Sequence, residues 1–165
     1  MPTIYIETSI VSHAAARPSG DPHLAELRTQ ARDWWRIERP HFELFTSQIV
    51  INEASAGDPD AASERLVLLD GIPLVPVDAH VQRIADELLA ASLMPQKAAV
   101  DALHVAAAAH AGIEYLLTQN CRHIANAHVL PRIYRTLEKL GFGGMLVCTP
   151  EEFLGGLYDA TQSNT

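Results

Sequence analysis

The sequence predicts an α/β fold with a largely parallel central sheet. Short apolar segments typical of strands alternate along the chain with longer segments whose apolar residues recur every three or four positions, which is typical of helices. The chain has 165 residues, of which 48% are hydrophobic, and a formal net charge of −8. This length is sufficient for one domain that buries its own core without disulfides or a structural metal.

Five segments are predicted to be strands because they are short, rich in β-branched and aromatic residues, and bounded by polar residues, glycine or proline. The segment 72–77 is predicted to lie at an edge of the sheet, since its prolines cannot donate ladder hydrogen bonds. In chain order, the predicted elements are strand 3–6, helix 21–39, strand 42–46, a helix after Ser47, helix 59–69, strand 72–77, helix 78–93, helix 98–111, strand 115–118, helix 131–140 and strand 145–147.

The helices carry recognisable start and stop signals. Asp21, followed by proline, is expected to begin the first long helix, and the proline at position 40 to end it. Ser47 and Asp78 are expected to cap the helices that follow them. The alanine-rich segment 98–111, closed by Gly112, predicts a buried or half-buried helix.

Composition and charge disfavour several classes of function. A chain with 20 acidic and 12 basic residues lacks the clustered Lys and Arg of a general nucleic-acid binder, so such a function needs a local basic patch or a bound cation. We expect no membrane span, because no run of about 18 uncharged apolar residues occurs. The first residues lack a secretory signal pattern, which predicts a cytoplasmic protein, and Cys121 and Cys148 are expected to be free thiols.

Four polar residues are predicted to meet at the carboxyl edge of the sheet, where open α/β sheets bind ligands. Glu7 follows the first strand, and Asn120 follows the strand at 115–118. Asp101 begins the helix that leads into that strand, and Glu53 lies on the helix after the second strand. Carboxylates gathered in this way repel each other unless a divalent cation neutralises them, and hard oxygen ligands suit Mg²⁺ or Mn²⁺.

Four segments, in their order and spacing, resemble PIN-domain ribonucleases, in particular the toxin component of VapBC-type toxin–antitoxin pairs. They are Tyr5–Ser9, Ser47–Glu53, Asp101–Ala108 and Tyr115–Asn120. The resemblance extends from Ile4 to about Pro150. It implies a PIN-like three-layer α/β/α sandwich over residues 1–155, followed by a frayed C-terminal tail at 156–165.

The resemblance also implies an activity: metal-dependent hydrolysis of phosphodiester bonds in single-stranded RNA, with Mg²⁺ or Mn²⁺ as cofactor. Glu7, Glu53 and Asp101 would be the catalytic acids and metal ligands, with Asn120 at the family's fourth acidic position and Ser9 as a supporting hydroxyl. A cognate antitoxin and a second copy of the chain in a homodimer would be its protein partners.

Two departures from the family pattern leave a second function open. Glu7 is one methylene longer than the family's usual Asp, and Asn120 is neutral. The alternative is a degenerate PIN domain that binds RNA or a protein without cleaving. A flavodoxin-like or response-regulator-like protein is a third class, disfavoured because the chain has no glycine-rich phosphate loop and no paired acid before Glu7.

Most of the candidate site residues also have a structural interpretation. Glu7 could cap the turn that follows at Thr8 to Ala14, Glu53 could be an ordinary solvated residue, and Asn120 could satisfy its own turn. His104, three residues after Asp101, could orient a carboxylate or could be a satisfied core histidine. His123 and Asn126 could line the rim or simply belong to a polar loop.

RNA contacts are expected at basic residues outside the acidic cluster. Arg28, Arg32 and Arg36 recur every four residues and predict a basic stripe, whose alternative interpretation is a solvated face paired with nearby acids. Lys97 could meet the RNA backbone or pair with Asp101. Of the adjacent Trp34 and Trp35, one is expected to leave the apolar face and stack on a base or enter a partner interface.

Overall fold

The computed structural model describes residues 1–91 and 94–154 and contains five strands between helices. The predicted tail at 156–165 and the last two residues of the helix predicted over 78–93 lie outside the described residues. None of the described helices combines the length and apolarity needed to cross a membrane. In chain order the elements are β1 (Thr3–Ile6), α1 (Thr8–Ala15), α2 (Pro22–Asp33), a π-helical turn (Trp34–Glu38), a 3-10 turn (Arg39–His41), β2 (Glu43–Ser47), α3 (Gln48–Ala54), α4 (Pro59–Leu69), β3 (Leu74–Val75), α5 (Ala79–Ala91), a second 3-10 turn (Gln96–Ala98), α6 (Ala99–His110), β4 (Tyr115–Leu117), α7 (Leu130–Lys139), β5 (Leu146–Cys148) and α8 (Pro150–Phe153).

The sheet has the strand order β3-β2-β1-β4-β5, and every pair of neighbouring strands is parallel. β1 lies at the centre, where Ile4, Tyr5 and Ile6 are completely buried. A strand covered on both faces is expected to consist mainly of residues suited to the core, as Ile4–Ile6 do. Because all strands run the same way, their carboxyl ends meet at one edge, and Glu7 follows β1 directly at that edge. The predicted three-layer α/β class with a parallel sheet is confirmed.

Helix α6 confirms the prediction of a buried alanine-rich helix. Most of its residues from Ala102 to Ala109 are buried, and α6 packs against α5. Its small side chains allow this close approach. The helix ends in a Schellman motif, in which the amide of Ile113 bonds the carbonyl of Ala108 at 3.1 Å. Gly112 supplies the positive φ of 73° that this ending requires.

The helix predicted over 21–39 is α-helical only as far as Asp33. The chain continues as the π-helical turn and then as the 3-10 turn that contains Pro40. The helix therefore changes type twice before it ends at this proline. Trp34 is fully buried, whereas Trp35 is partly buried with the Arg39 guanidinium 5.1 Å from the centre of its ring. Trp34 thus takes the core position of the tryptophan pair.

The edge strand predicted over 72–77 is present at the edge of the sheet as β3, but it is shorter than predicted, because Pro73 and Pro76 flank it and cannot donate ladder hydrogen bonds. The cap predicted at Ser47 is wrong. Ser47 precedes α3 without a side-chain capping bond, since its hydroxyl contacts Tyr5 instead. Asp78 does cap α5, where its carboxylate accepts the amides of His80 and Val81.

Replacing Ala106 by Leu is expected to destabilise the protein by about 1–3 kcal/mol, because α6 has no space for the added carbons. Val100→Leu on the same helix, at a side chain that is 42% exposed, serves as the control. That change should alter the free energy of unfolding by less than about 0.5 kcal/mol. Denaturant unfolding of both variants measures the difference. Equal effects would contradict close packing at Ala106.

Candidate functional site

Glu7 is a carboxylate buried at the end of the central strand. It is 4% exposed, and its Oε2 accepts hydrogen bonds from the Ser9 hydroxyl, the Ser9 amide at 2.9 Å and the Thr118 hydroxyl at 2.9 Å. Thr118 is within reach because Ile6 of β1 pairs with Leu117 of β4. The residues that follow them, Glu7 and Thr118, therefore lie side by side. The Ser9 contact also caps α1, so the capping interpretation of Glu7 holds together with the site interpretation.

Burial removes solvation from the charged form of Glu7 and raises the pKa of its carboxyl. The nearby His104 and the hydrogen bonds from Ser9 and Thr118 lower that pKa, but they offset the rise only in part. A buried carboxylate of this kind is stabilised in its ionised form by a cation. The electrostatics therefore favour positive charge at this end of β1.

Glu53, on α3, shares one oxygen between two donors from other elements. Its Oε1 accepts the Thr8 hydroxyl at 2.7 Å and lies 2.6 Å from Nε2 of His104. Burial alone would raise the pKa of Glu53, but the hydrogen bonds from His104 and Thr8 outweigh it, so the pKa is lowered. Glu53 is therefore tied to α1 and α6, which an ordinary solvated residue would not be. His104 contacts this carboxylate rather than Asp101.

Asp101 joins the site through the loop after β4. Its Oδ2 lies 2.9 Å from Nδ1 of His123, and the two side chains are 18% and 17% exposed. The His123 amide donates to the side-chain oxygen of Asn120 at 3.0 Å, and the Asn120 amide donates to the Thr118 hydroxyl at 2.9 Å. Asn120 thus satisfies its own loop, while its role as a metal ligand stays a prediction.

The three acids share one pattern of hydrogen bonding. Each has one oxygen held by protein donors, while Glu7 Oε1, Glu53 Oε2 and Asp101 Oδ1 accept no hydrogen bond from residues 1–91 or 94–154. Carboxylates oriented in this way and supported by outer hydrogen bonds are typical ligands of hard divalent cations.

The site is not arranged around a cation as it stands. In the part of the chain that the structure describes, no group of three or more His, Cys, Asp or Glu side chains is placed to hold a metal ion. The carboxylate oxygens are donors of the kind that Mg²⁺ or Mn²⁺ prefers, but the acids would have to move closer together for a single ion to contact all three.

The predicted basic residues do not belong to this hydrogen-bond network. Arg28 and Arg32 donate to the carbonyls of Arg17 and Ala16, just after α1, and Arg36 pairs with an aspartate of its own helix at 3.5 Å. Their RNA contact stays a prediction. Lys97 is exposed and forms no ion pair within the described ranges. Of the alternatives for Lys97, the structure shows an exposed side chain and not the pairing with Asp101, which His123 contacts instead.

Four members of the network had no site role in the sequence-based hypothesis: Thr8, Thr118, and the pair Tyr5 and Ser47, which joins the network through the hydrogen bond of Tyr5 to His104. Thr118 could have been found from the pairing of β1 with β4, which places it beside Glu7. Tyr5 and Ser47 could not, because their contact depends on how far a tyrosine reaches across the sheet. His123 lies at the rim, as one of its two interpretations allowed, and its direct contact with Asp101 makes it part of the site.

Residues 4–129 match the family model for the PIN domain, and the chain therefore belongs to the PIN-domain family. Comparison with curated proteins gives no match. Among solved structures, FitAB bound to an IR36 DNA fragment aligns with a TM-score of 0.54 and 14% identity, over 90% of this chain and 95% of that one. VapC20 of Mycobacterium tuberculosis, a sarcin-ricin loop cleaving toxin, aligns with a TM-score of 0.53 and 22% identity, over 69% of this chain and 87% of that one. These similarities establish a shared fold.

Replacing Glu7 by Gln is expected to stabilise the protein, with a gain that grows as pH rises. The raised pKa means that the native state binds more protons than the unfolded state, so wild-type stability falls as pH rises from the ordinary glutamate pKa through the raised value. Each unit of that rise corresponds to about 1.4 kcal/mol. Gln has no charge to bury, and its amide oxygen can still accept the same hydrogen bonds.

Thermal unfolding in EDTA between about pH 5 and pH 9 measures this difference. Glu43→Gln is the matched control, because Glu43 is exposed at the start of β2. A gain that shrinks with rising pH, or one that the control reproduces, would contradict the electrostatic account of Glu7.

Proposed function

We propose that the protein is a divalent-metal-dependent endoribonuclease that hydrolyses phosphodiester bonds in single-stranded RNA. The observation that carries this proposal is the shared pattern at Glu7, Glu53 and Asp101, where each carboxylate has one oxygen held by the protein and one without a partner among the described residues. The hydrogen bonds to the first oxygen fix each carboxylate, and the oxygen without a partner is available to a cation.

Glu7, Glu53 and Asp101 would hold Mg²⁺ or Mn²⁺, with Asn120 as a neutral fourth ligand. A bound cation would supply Lewis-acid stabilisation of the phosphate charge and a more acidic water. A bound cation would also neutralise the charge of the three acids, so the cluster would no longer repel the phosphates of the substrate. In a chain with a net charge of −8, this local reversal is needed for RNA to approach.

The chain's own residues would orient the reacting groups. The Nδ1 of His123 is held by Asp101, and its Nε2 has no hydrogen bond to any described residue. When Nδ1 carries the proton and donates to the Asp101 carboxylate, Nε2 of the neutral ring is an acceptor, so it would accept a hydrogen bond from a water or from a hydroxyl of the substrate. Thr118 and Ser9 would hold Glu7 in place while the substrate binds. Arg28, Arg32, Arg36 and Lys97 would contribute weak contacts to the RNA backbone.

We further propose that the protein is the toxin of a toxin–antitoxin pair. Membership of the PIN-domain family and the fold shared with VapC20, which is described as a toxin, support this assignment. On this proposal a cognate antitoxin inhibits the nuclease, the active form is a homodimer, and both act in the cytoplasm. The chain's acidic character also favours a partner with basic residues near the carboxyl edge of the sheet.

A binding module without catalysis is the second candidate. It is favoured by the arrangement of the side chains, because no three His, Cys, Asp or Glu side chains among the described residues are placed to hold one metal ion. The side-chain oxygen of Asn120 already accepts a hydrogen bond from the His123 amide, which also favours a binding module. Cleavage experiments separate the two candidates.

Asp101→Asn is expected to lower the rate of cleavage of single-stranded RNA by about 100-fold or more in Mn²⁺ or Mg²⁺. The reason is that changes in the groups around metal ligands alone cost 10–100-fold, and this change removes a ligand charge. Gel analysis of end-labelled single-stranded and structured RNAs measures the rate, with an EDTA reaction beside each. Glu43→Gln should cleave as the wild type does.

Each other outcome has a definite meaning. Cleavage that persists in EDTA, or that survives Asp101→Asn, would show that a different site or mechanism is responsible. RNA binding without cleavage in any divalent cation would establish the second candidate and refute the first.

A further inference from the structure

A line of polar side chains runs from the interior of the sheet to Glu53. The Ser47 hydroxyl lies 2.7 Å from the Tyr5 hydroxyl, which lies 2.8 Å from Nδ1 of His104. Nε2 of the same ring lies 2.6 Å from Oε1 of Glu53. Ser47, Tyr5 and His104 are completely buried, while the side chain of Glu53 is 39% exposed.

The hydrogen-bond directions along this line follow from the carboxylate. An ionised Glu53 only accepts, so Nε2 of His104 carries the proton and donates. In the neutral ring Nδ1 then accepts from the Tyr5 hydroxyl, which in turn accepts from Ser47. The tyrosine therefore satisfies the acceptor nitrogen of the tautomer that donates to Glu53, and it holds the ring from the other side.

The line does more than satisfy buried groups. Ser47 alone could satisfy the Tyr5 hydroxyl, and an apolar side chain could replace His104 without leaving a buried polar atom unpaired. Glu53 is partly exposed and has the Thr8 hydroxyl as a second donor, so it needs no buried histidine for its own solvation. What His104 adds is a fixed orientation, with Oε1 held and Oε2 left without a partner in the described part of the chain.

We propose that His104 and Tyr5 are positioning residues, which orient Glu53 so that its second oxygen is presented to a divalent cation. This inference rests on the proposed function, since it assumes that Glu53 is a metal ligand. It assigns to a tyrosine of the central strand a part in metal affinity, although its hydroxyl lies two hydrogen bonds away from the carboxylate.

Tyr5→Phe is expected to weaken Mn²⁺ binding by about 10-fold or more, because outer hydrogen bonds to metal ligands are worth 10–100-fold in affinity. Without the tyrosine hydroxyl, the buried Nδ1 loses its donor, and the ring that orients Glu53 loses one of its two hydrogen-bond partners. Electron paramagnetic resonance of free Mn²⁺, titrated into the full chain, gives the affinity without reference to activity. Tyr134→Phe is the matched control, since it removes a tyrosine hydroxyl that bonds the Val147 amide on β5.

Two variants of His104 separate positioning from packing. His104→Gln keeps an amide donor near the place of Nε2 and should retain most of the Mn²⁺ affinity, whereas His104→Leu should lose about 10–100-fold. Circular dichroism and thermal unfolding check that each variant is folded. If His104→Leu does not fold, Tyr5→Phe and His104→Gln still decide the question.

Variants of the proposed metal ligands distinguish a failure of this inference from a failure of the proposed function. Mn²⁺ affinity that is unchanged in Tyr5→Phe and His104→Leu but weakened in Glu53→Gln would overturn the positioning role and leave the metal site standing. Affinity that is unchanged in Glu53→Gln and in Asp101→Asn, or a wild type that binds no Mn²⁺, would overturn both.

Discussion

A carboxylate buried at the end of the central strand constrains the whole carboxyl edge of the sheet. Glu7 is kept in place by donors that have to come from two directions, from the first turn of α1 and from the residue after β4. Helix α1 must therefore start directly after β1, and β4 must pair with β1 in the register that places Thr118 beside Glu7. The fold and the site are built from the same few hydrogen bonds, which is why a parallel sheet with β1 at its centre carries the acids.

The excess of acidic residues has two different meanings in this chain. Most acids lie on the surface, where they oppose the approach of a polyanion. The acids of the candidate site are partly or wholly buried and oriented by donors, and burial raises the pKa of Glu7 while hydrogen bonds lower that of Glu53. The surroundings of these two glutamates thus shift their pKa values in opposite directions, a contrast that charge counting alone does not reveal.

Local sequence signals predicted the five strands, most of the helices and the residues at the strand ends, because strand periodicity, capping residues and Gly112 act over a few neighbouring positions. They missed α1, an eight-residue helix that was expected to be a turn. They did not predict the π-helical turn at Trp34–Glu38, which differs from an α-helix only in its hydrogen-bond spacing. They also failed for Ser47, whose hydroxyl has two possible partners that only the tertiary structure distinguishes. The contacts of Asp101 with His123 and of Glu53 with His104 span many residues and depend on how whole helices pack.

Helix α1 connects the two glutamates mechanically. Consecutive residues of its first turn hold different acids, since Thr8 bonds Glu53 and Ser9 bonds Glu7. At the other end of the same helix, Arg28 and Arg32 of α2 donate hydrogen bonds to the backbone carbonyls of the two residues that follow α1. A small rotation or slide of α1 would therefore disturb both glutamates together, so the relative position of the two acids is set by the seating of one eight-residue helix.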